Sequence, residues 1–285
     1  MPTRLTRPGK HTLLVETPVL PMSGTVGFGD EYSGALDLSG FGALITNAVT
    51  TAPRSPANGA RVIPLGAGAL VHTGLPNPGL RSVLNDYAEV WARLTLPIIL
   101  HFAPVSLEDL RRALGKIDEA ETISGVEIGV EDEIPQADAV ALTREAARSE
   151  KPALIRLPFG ASLDMVRAVA DAGADAVVMS APPRGTARDA GGQLVSGRVY
   201  SPMNKPLALR QVGQAARVLH APIIAAGGIH SAADAQDFLE AGAVAVQLDS
   251  LVWVQPSAVA EISKSLSLPS STGSATPAGE GWPPA

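Results

Sequence analysis

The sequence predicts a (β/α)8 TIM barrel, an α/β fold in which eight parallel strands close on themselves inside a ring of helices. Three observations carry that expectation. Short apolar or β-branched runs alternate along the chain with amphipathic stretches of helical length, the pattern of parallel strands covered by helices. The 285 residues exceed the ~250 typical of the fold by about the length of two irregular ends. Near the C-terminus an apolar run stops at Gly227-Gly228, a helix opens at Ser231 and a second apolar run follows, which is the order of a late βαβ unit.

The strands are placed in order at residues 18–22, 43–49, 97–102, 125–130, 153–157, 176–180, 222–226 and 243–248. Each is short and mostly apolar, as a strand buried inside and outside must be. Helices are expected at residues 80–94, 107–119, 137–150, 163–172, 206–219 and 232–241. Ser106 and Ser231 are the expected N-caps, because a serine hydroxyl accepts a free amide of the first turn; Gly173 and Gly242 are the expected stops. Two segments exceed ordinary βα loops. Residues 50–79 and 181–205 are rich in Gly and Pro and follow the second and sixth strands, so they lie over the face where barrel chemistry is done. One barrel domain is expected over residues 1–268, followed by a Pro/Ser/Thr/Gly tail at 269–285 that is expected to be disordered.

Composition narrows the functions. A net charge of −6 with 18% charged residues gives no basic stripe for nucleic acid, and no apolar run approaches the ~20 residues of a membrane span. The chain has no cysteine, hence no disulfide framework, thiolate metal site or cysteine nucleophile. The basic N-terminus lacks a long apolar core and a cleavage site, so a cytoplasmic protein is expected. Gly227 and Gly228 read as a phosphate seat: without Cβ atoms they let amides approach an anion, and the positive end of the next helix faces the same spot. A tight turn with no ligand is the plainer reading.

Beyond these patterns, PVLPMSGTVGFGDEY, ALITNAVTTAPR, GLPNPG, KPLALRQV and PIIAAGGIHSAADAQDFLEAGAVAVQLDS, in this order, resemble the dihydroorotate dehydrogenase catalytic chain. The resemblance runs from residue 17 to about residue 256. It implies an FMN-dependent barrel that oxidises dihydroorotate to orotate by hydride transfer to the flavin. Carried over by position, Ser23 and Gly24 lie along the flavin ring, Thr46 and Gly197 are further cofactor positions, and Gly227, Gly228 and Ser250 surround the phosphate. Arg156 replaces the lysine that approaches the polar edge of the ring and keeps its charge; a strand-borne arginine paired with Glu127 or Glu131 is the structural alternative.

The substrate positions depart from the family. Asn47 replaces a lysine, His72 lies where an asparagine is expected, Asn77 keeps the asparagine of GLPN, and Ser180 lies near another expected asparagine. The Asn-x-Ser-Cys-Pro-Asn motif reads Gly129 to Ile134, so the proton-abstracting Cys or Ser is absent; Asp132 is the positional substitute, or part of a solvated acidic loop. His101 and His72 are the other titratable groups expected at the mouth. Asp249 occupies a glycine position in the phosphate cup. At ~4 Å its charge would repel an anion by about 1 to 4 kcal/mol, unless the side chain turns outward.

Three functions follow: a flavin oxidoreductase acting on dihydroorotate or a displaced relative, an inactive barrel serving as a regulatory or scaffolding subunit, and a non-redox enzyme with a phosphorylated ligand. The resemblance also implies a separate electron-transfer subunit, because any iron–sulfur cluster must lie on another chain. A homodimer is the commonest oligomer to expect. No metal site is expected.

Overall fold

The structure is a computed structural model that describes residues 2–9, 12–31 and 36–267. Its parallel sheet has eight strands: Val19–Pro21, Leu44–Ile45, Ile98–Phe102, Gly125–Gly129, Ala153–Arg156, Ala176–Met179, Ile223–Ala226 and Ala245–Leu248. From the second strand to the eighth each pairs with its successor in sequence, and the eighth pairs with the first at Val246↔Val19. The Gly42 amide donates to the Val19 carbonyl at 2.8 Å, which brings the first and second strands together and nearly closes the barrel. Every expected strand lies where the sequence places it, most of them trimmed at the ends; the second, expected over 43–49, is cut to Leu44–Ile45, with Val49 left as an isolated bridge to Phe102.

Burial explains why these runs are apolar. Leu20, Ala43, Ile45, Ile99, Leu154, Ala176, Val178, Ile224 and Ala245 form one buried cluster that fills the barrel. Side chains of the opposite parity, such as Leu44, Ile98, Ile155 and Val177, belong to a second cluster beneath the helices. Full burial of such a side chain is worth about 1.5–3 kcal/mol, so both faces of each strand select apolar residues. A small hairpin of Thr3–Arg4 and Leu14–Val15 adds Leu5, Leu13 and Val15 to the inner cluster.

The helices Leu107–Asp118, Gln136–Ala146, Leu163–Asp171, Lys205–Ala216 and Ala232–Glu240 cover the strands. Ser106 and Ser231 cap two of them by accepting the amides of Asp109 and Asp234. Gly173 and Gly242 take left-handed backbone at φ 112° and 109° just after two helix ends. The continuous helix expected over 80–94 is instead split at Tyr87 into Leu80–Asp86 and Ala88–Arg93. The Tyr87 ring packs against Phe28 at 4.6 Å and Trp91 at 6.0 Å, which anchors the break. Two further helices, Leu251–Val254 and Ala258–Ser267, follow the last strand. The tail at 269–285 lies outside the described residues.

The two long insertions are not simple loops. The one after the second strand forms the hairpin Val62–Leu65 with Gly68–Val71, and the one after the sixth forms Arg184–Arg188 with Leu194–Tyr200. Together they make a four-stranded antiparallel sheet, joined across the insertions at Arg198↔Val71, Val199↔Leu70 and Tyr200↔Ala69.

Candidate active site

Strand periodicity builds the floor of the site. Two residues beyond the apolar plug, side chains again face inward, and there the chain has Asn47, His101, Arg156 and Gln247, with Glu127 on the fourth strand. A polar layer thus sits on an apolar plug at the carboxyl ends of the strands. Glu127 is its centre and is fully buried. Its Oε1 receives His101 Nδ1 at 2.7 Å and Arg156 Nη1 at 3.3 Å, while Oε2 accepts from Gln247 Nε2 at 2.5 Å. Burial alone would raise the Glu127 carboxyl. The hydrogen bond and charge of His101, the charge of Arg156 and the Gln247 bond outweigh it and hold the group below its ordinary value. An ionised Glu127 can only accept, so His101 carries its proton on Nδ1. Two buried acceptors of this layer, Asn47 Oδ1 and Gln247 Oε1, have no hydrogen-bond partner among the described residues. Gln247 and the centrality of Glu127 went unrecognised in the sequence; counting two residues on from the plug residue Ala245 finds Gln247, and Glu127 occupies the matching position of the fourth strand, two beyond Gly125.

The glycine turn lies at the end of the seventh strand. Gly227 and Gly228 have φ 109° and 72°, backbone that side chains rarely adopt. A Cβ at Gly228 would also lie 2.6 Å from the Lys205 amide nitrogen, so the turn is pressed against the start of the sixth helix. Lys205 pairs with Asp234 at 2.5 Å and Asp237 at 2.6 Å, fixing that helix to the one the turn opens.

Asp249 turns inward rather than out to solvent. It is fully buried, its Oδ2 accepts the Gly228 amide at 3.3 Å, and its Oδ1 accepts the Ser250 amide at 2.5 Å and the Ser250 hydroxyl at 3.1 Å. Ser250 Oγ also meets His230 Nε2 at 3.3 Å. Burial pushes the Asp249 carboxyl up, and the bonds from Gly228 and Ser250 offset it only in part. In its neutral form the carboxyl has an O–H donor to offer a phosphate oxygen; ionised, it competes with the phosphate for the same amides. The turn therefore fits a phosphate when Asp249 carries a proton.

The other sequence candidates are spread more widely. Arg156 pairs with Glu127, not Glu131. Asp132 reaches the cap sheet, 2.5 Å from Arg198 Nη1 and 3.6 Å from Arg184 Nε. Thr46 spends its hydroxyl locally, accepting the His101 amide at 3.1 Å and donating to the Asn47 carbonyl at 2.9 Å. Ser23 and Gly24 form the turn closed by the Thr25 amide on the Met22 carbonyl. Asn77 staples its own insertion, donating to Thr50 Oγ1 and the Leu75 carbonyl and accepting the Gly79 amide. His72 ends a cap strand, its amide on the Arg61 carbonyl. Gly197 pairs with Gly185 within the cap. Ser180 has left-handed backbone at φ 66°, and its hydroxyl donates to Gln211 on the sixth helix. Among the described residues no cluster of His, Asp or Glu is arranged to hold a metal ion, and no helix is long and apolar enough to cross a membrane.

Fold and site define a (β/α)8 barrel with a polar floor and a glycine turn on its carboxyl face. The family model for dihydroorotate dehydrogenase matches residues 11–131 and 154–268. The dihydroorotate dehydrogenase B (NAD(+)) catalytic subunit of Pelobacter propionicus is 31% identical over 274 residues, covering 89% of this chain and 90% of its own length. That of Desulforudis audaxviator is 32% identical over 272 residues, with 89% of each chain covered. The chain belongs to the dihydroorotate dehydrogenase family. The family match lapses just after Glu131, where the expected Cys or Ser motif gives way to Asp132 and its neighbours.

Proposed function

We propose that this chain is a flavin-dependent oxidoreductase of the dihydroorotate dehydrogenase type, acting on dihydroorotate or a closely related small acid. The observation that carries the reading is the polar floor of Asn47, His101, Glu127, Arg156 and Gln247 beside the glycine turn, both at the carboxyl ends of the barrel strands. Gly227, Gly228 and Ser250 would hold the phosphate of FMN, with Asp249 protonated, and Ser23, Gly24 and Gly197 are the family positions for the rest of the cofactor. Arg156 brings positive charge to the floor, where a reduced flavin would be anionic. FMN, when bound, supplies the two-electron acceptor. The name of the relatives, a catalytic subunit linked to NAD(+), supports electron export through a separate subunit.

The test uses the purified protein. Flavin absorbance, bleached anaerobically by dihydroorotate, is the expected result; flavin that only another reductant bleaches would displace the substrate. A second reading, an inactive family member with a scaffolding role, is favoured by Asp249, whose carboxylate takes the amides a phosphate needs. Protein that retains no flavin after saturation with FMN would establish that reading in place of the first.

A further inference from the structure

We propose that His101 is the proton-abstracting base of this site, held in register by Glu127 as a positioning residue; the proposal rests on the dihydroorotate-oxidising reading above. The family resemblance assigns that task to a Cys or Ser after the fourth strand, which this chain lacks. One strand earlier, the floor presents an imidazole whose Nδ1 proton is fixed on a buried carboxylate at 2.7 Å. In the neutral form of the ring, the form a base requires, the lone pair then lies on Nε2. That nitrogen has no hydrogen-bond partner among the described residues, and the side chain is 9% exposed.

The space for that ring comes from a second departure. A Cβ at Gly129 would lie 2.7 Å from His101 Nε2 and 3.0 Å from Cε1. The resemblance expects an asparagine at this position, and a side chain there would require the imidazole at 101 to move from its place on Glu127. The alternative base, Asp132, has its carboxylate engaged by Arg198 at 2.5 Å, with Arg184 at 3.6 Å. Asn47 Oδ1 and Gln247 Oε1, two acceptors of the same layer without donors among the described residues, suit a substrate with ring N–H groups.

In the step so assigned, Nε2 takes the proton from the carbon next to a substrate carbonyl. The electron pair left behind forms the new carbon–carbon double bond as the adjacent carbon gives up its hydride to the flavin. One proton goes to His101 and two electrons to the flavin. The imidazolium formed lies against the Glu127 carboxylate, which stabilises it.

The experiment combines two measurements on the FMN-saturated protein. Anaerobic flavin bleaching by dihydroorotate is followed from pH 5 to 9 for wild type, His101→Gln and Glu127→Gln, with orotate affinity measured by calorimetry. His101→Gln should slow bleaching about a hundredfold or more and remove its pH dependence, while orotate affinity stays within about threefold. Separately, the Nε2 resonance of His101 in ¹⁵N-histidine spectra should move when orotate binds, and should be missing from the His101→Gln spectrum. The NMR readout is independent of turnover and does not need the Glu127 variant to fold. Bleaching slowed less than threefold in His101→Gln, or an Nε2 signal indifferent to bound orotate, would overturn the base while leaving the family reading in place. Failure of wild type to bind orotate or be bleached would overturn both.

Discussion

Replacing Asp249 by Asn removes one buried charge at nearly constant volume and tests what occupies the phosphate turn. Asp249 Oδ2 lies 3.3 Å from the Gly228 amide nitrogen. A phosphate oxygen accepting that same amide at ~2.9 Å would come within roughly 4 Å of the carboxylate. At that distance like charges repel by about 1 kcal/mol at a dielectric of 80 and about 4 kcal/mol at 20. Asp249→Asn should accordingly tighten FMN by about fivefold to a thousandfold at pH 8, where the phosphate is a dianion. The charged and titratable neighbours of Asp249 are His230, through Ser250, and Tyr200 from the cap, itself beside Arg156 and Arg198. Because burial raises the Asp249 carboxyl, wild type gains a proton first as pH falls. The affinity gap should therefore close towards pH 5. Quenching of flavin fluorescence on titrating apoprotein gives both constants. Equal affinities at pH 8, or weaker binding by the Asn variant, would refute the placement of this carboxylate against the phosphate.

Three further outcomes follow from the same structure. Glu127→Gln leaves the Arg156 guanidinium buried without its carboxylate, a loss of about 3–5 kcal/mol, seen in a denaturant melt at pH 7; since the folded carboxyl is held below its ordinary value, the difference from wild type should shrink as pH falls below the usual carboxylate range. Gly228→Ala places a Cβ at φ 72° and 2.6 Å from the Lys205 nitrogen, so it should cost at least about 1–2 kcal/mol and weaken inorganic phosphate or FMN binding in calorimetry. Asn77→Ala strips the staple of the first insertion and orphans the Gly79 amide, at about 1–3 kcal/mol; hydrogen exchange should quicken across residues 50–79 before it does in the barrel strands.

The barrel was legible because its strands are apolar over most of both faces: a run such as residues 222–226 is apolar whichever way it turns, and Arg156 is the one polar residue of 153–157. Caps and stops were legible too, since Ser231 and Gly242 act through chemistry local to the chain. The cap sheet was not. Along Arg184–Arg188 exposed residues alternate with half-buried ones and none is fully buried, so the strand lacks the apolar stripe by which a half-buried strand announces itself. What fixes it is pairing with Leu194–Tyr200, a strand itself held by Gly68–Val71, more than a hundred residues away in sequence. The site divided in the same manner. Gly227 and Gly228 show themselves locally, whereas the direction of Asp249 depends on how strand end, glycine turn and Ser250 meet. His101, Glu127 and Gln247 each look like an isolated polar interruption of an apolar strand, and only closure of the barrel makes them neighbours.

Closure of the cap has a mechanical consequence. Because Arg198, Val199 and Tyr200 are laddered to Val71, Leu70 and Ala69, the insertions after the second and sixth strands share one plate, tethered to the barrel by four chain crossings. Tyr200 lies 5.1 Å from Trp253, whose indole donates to the Thr25 carbonyl, so the plate also rests on the rim beyond the eighth and first strands. The two insertions thus form one mechanical body, and a substitution that weakens the shared ladder in either should quicken hydrogen exchange in both hairpins.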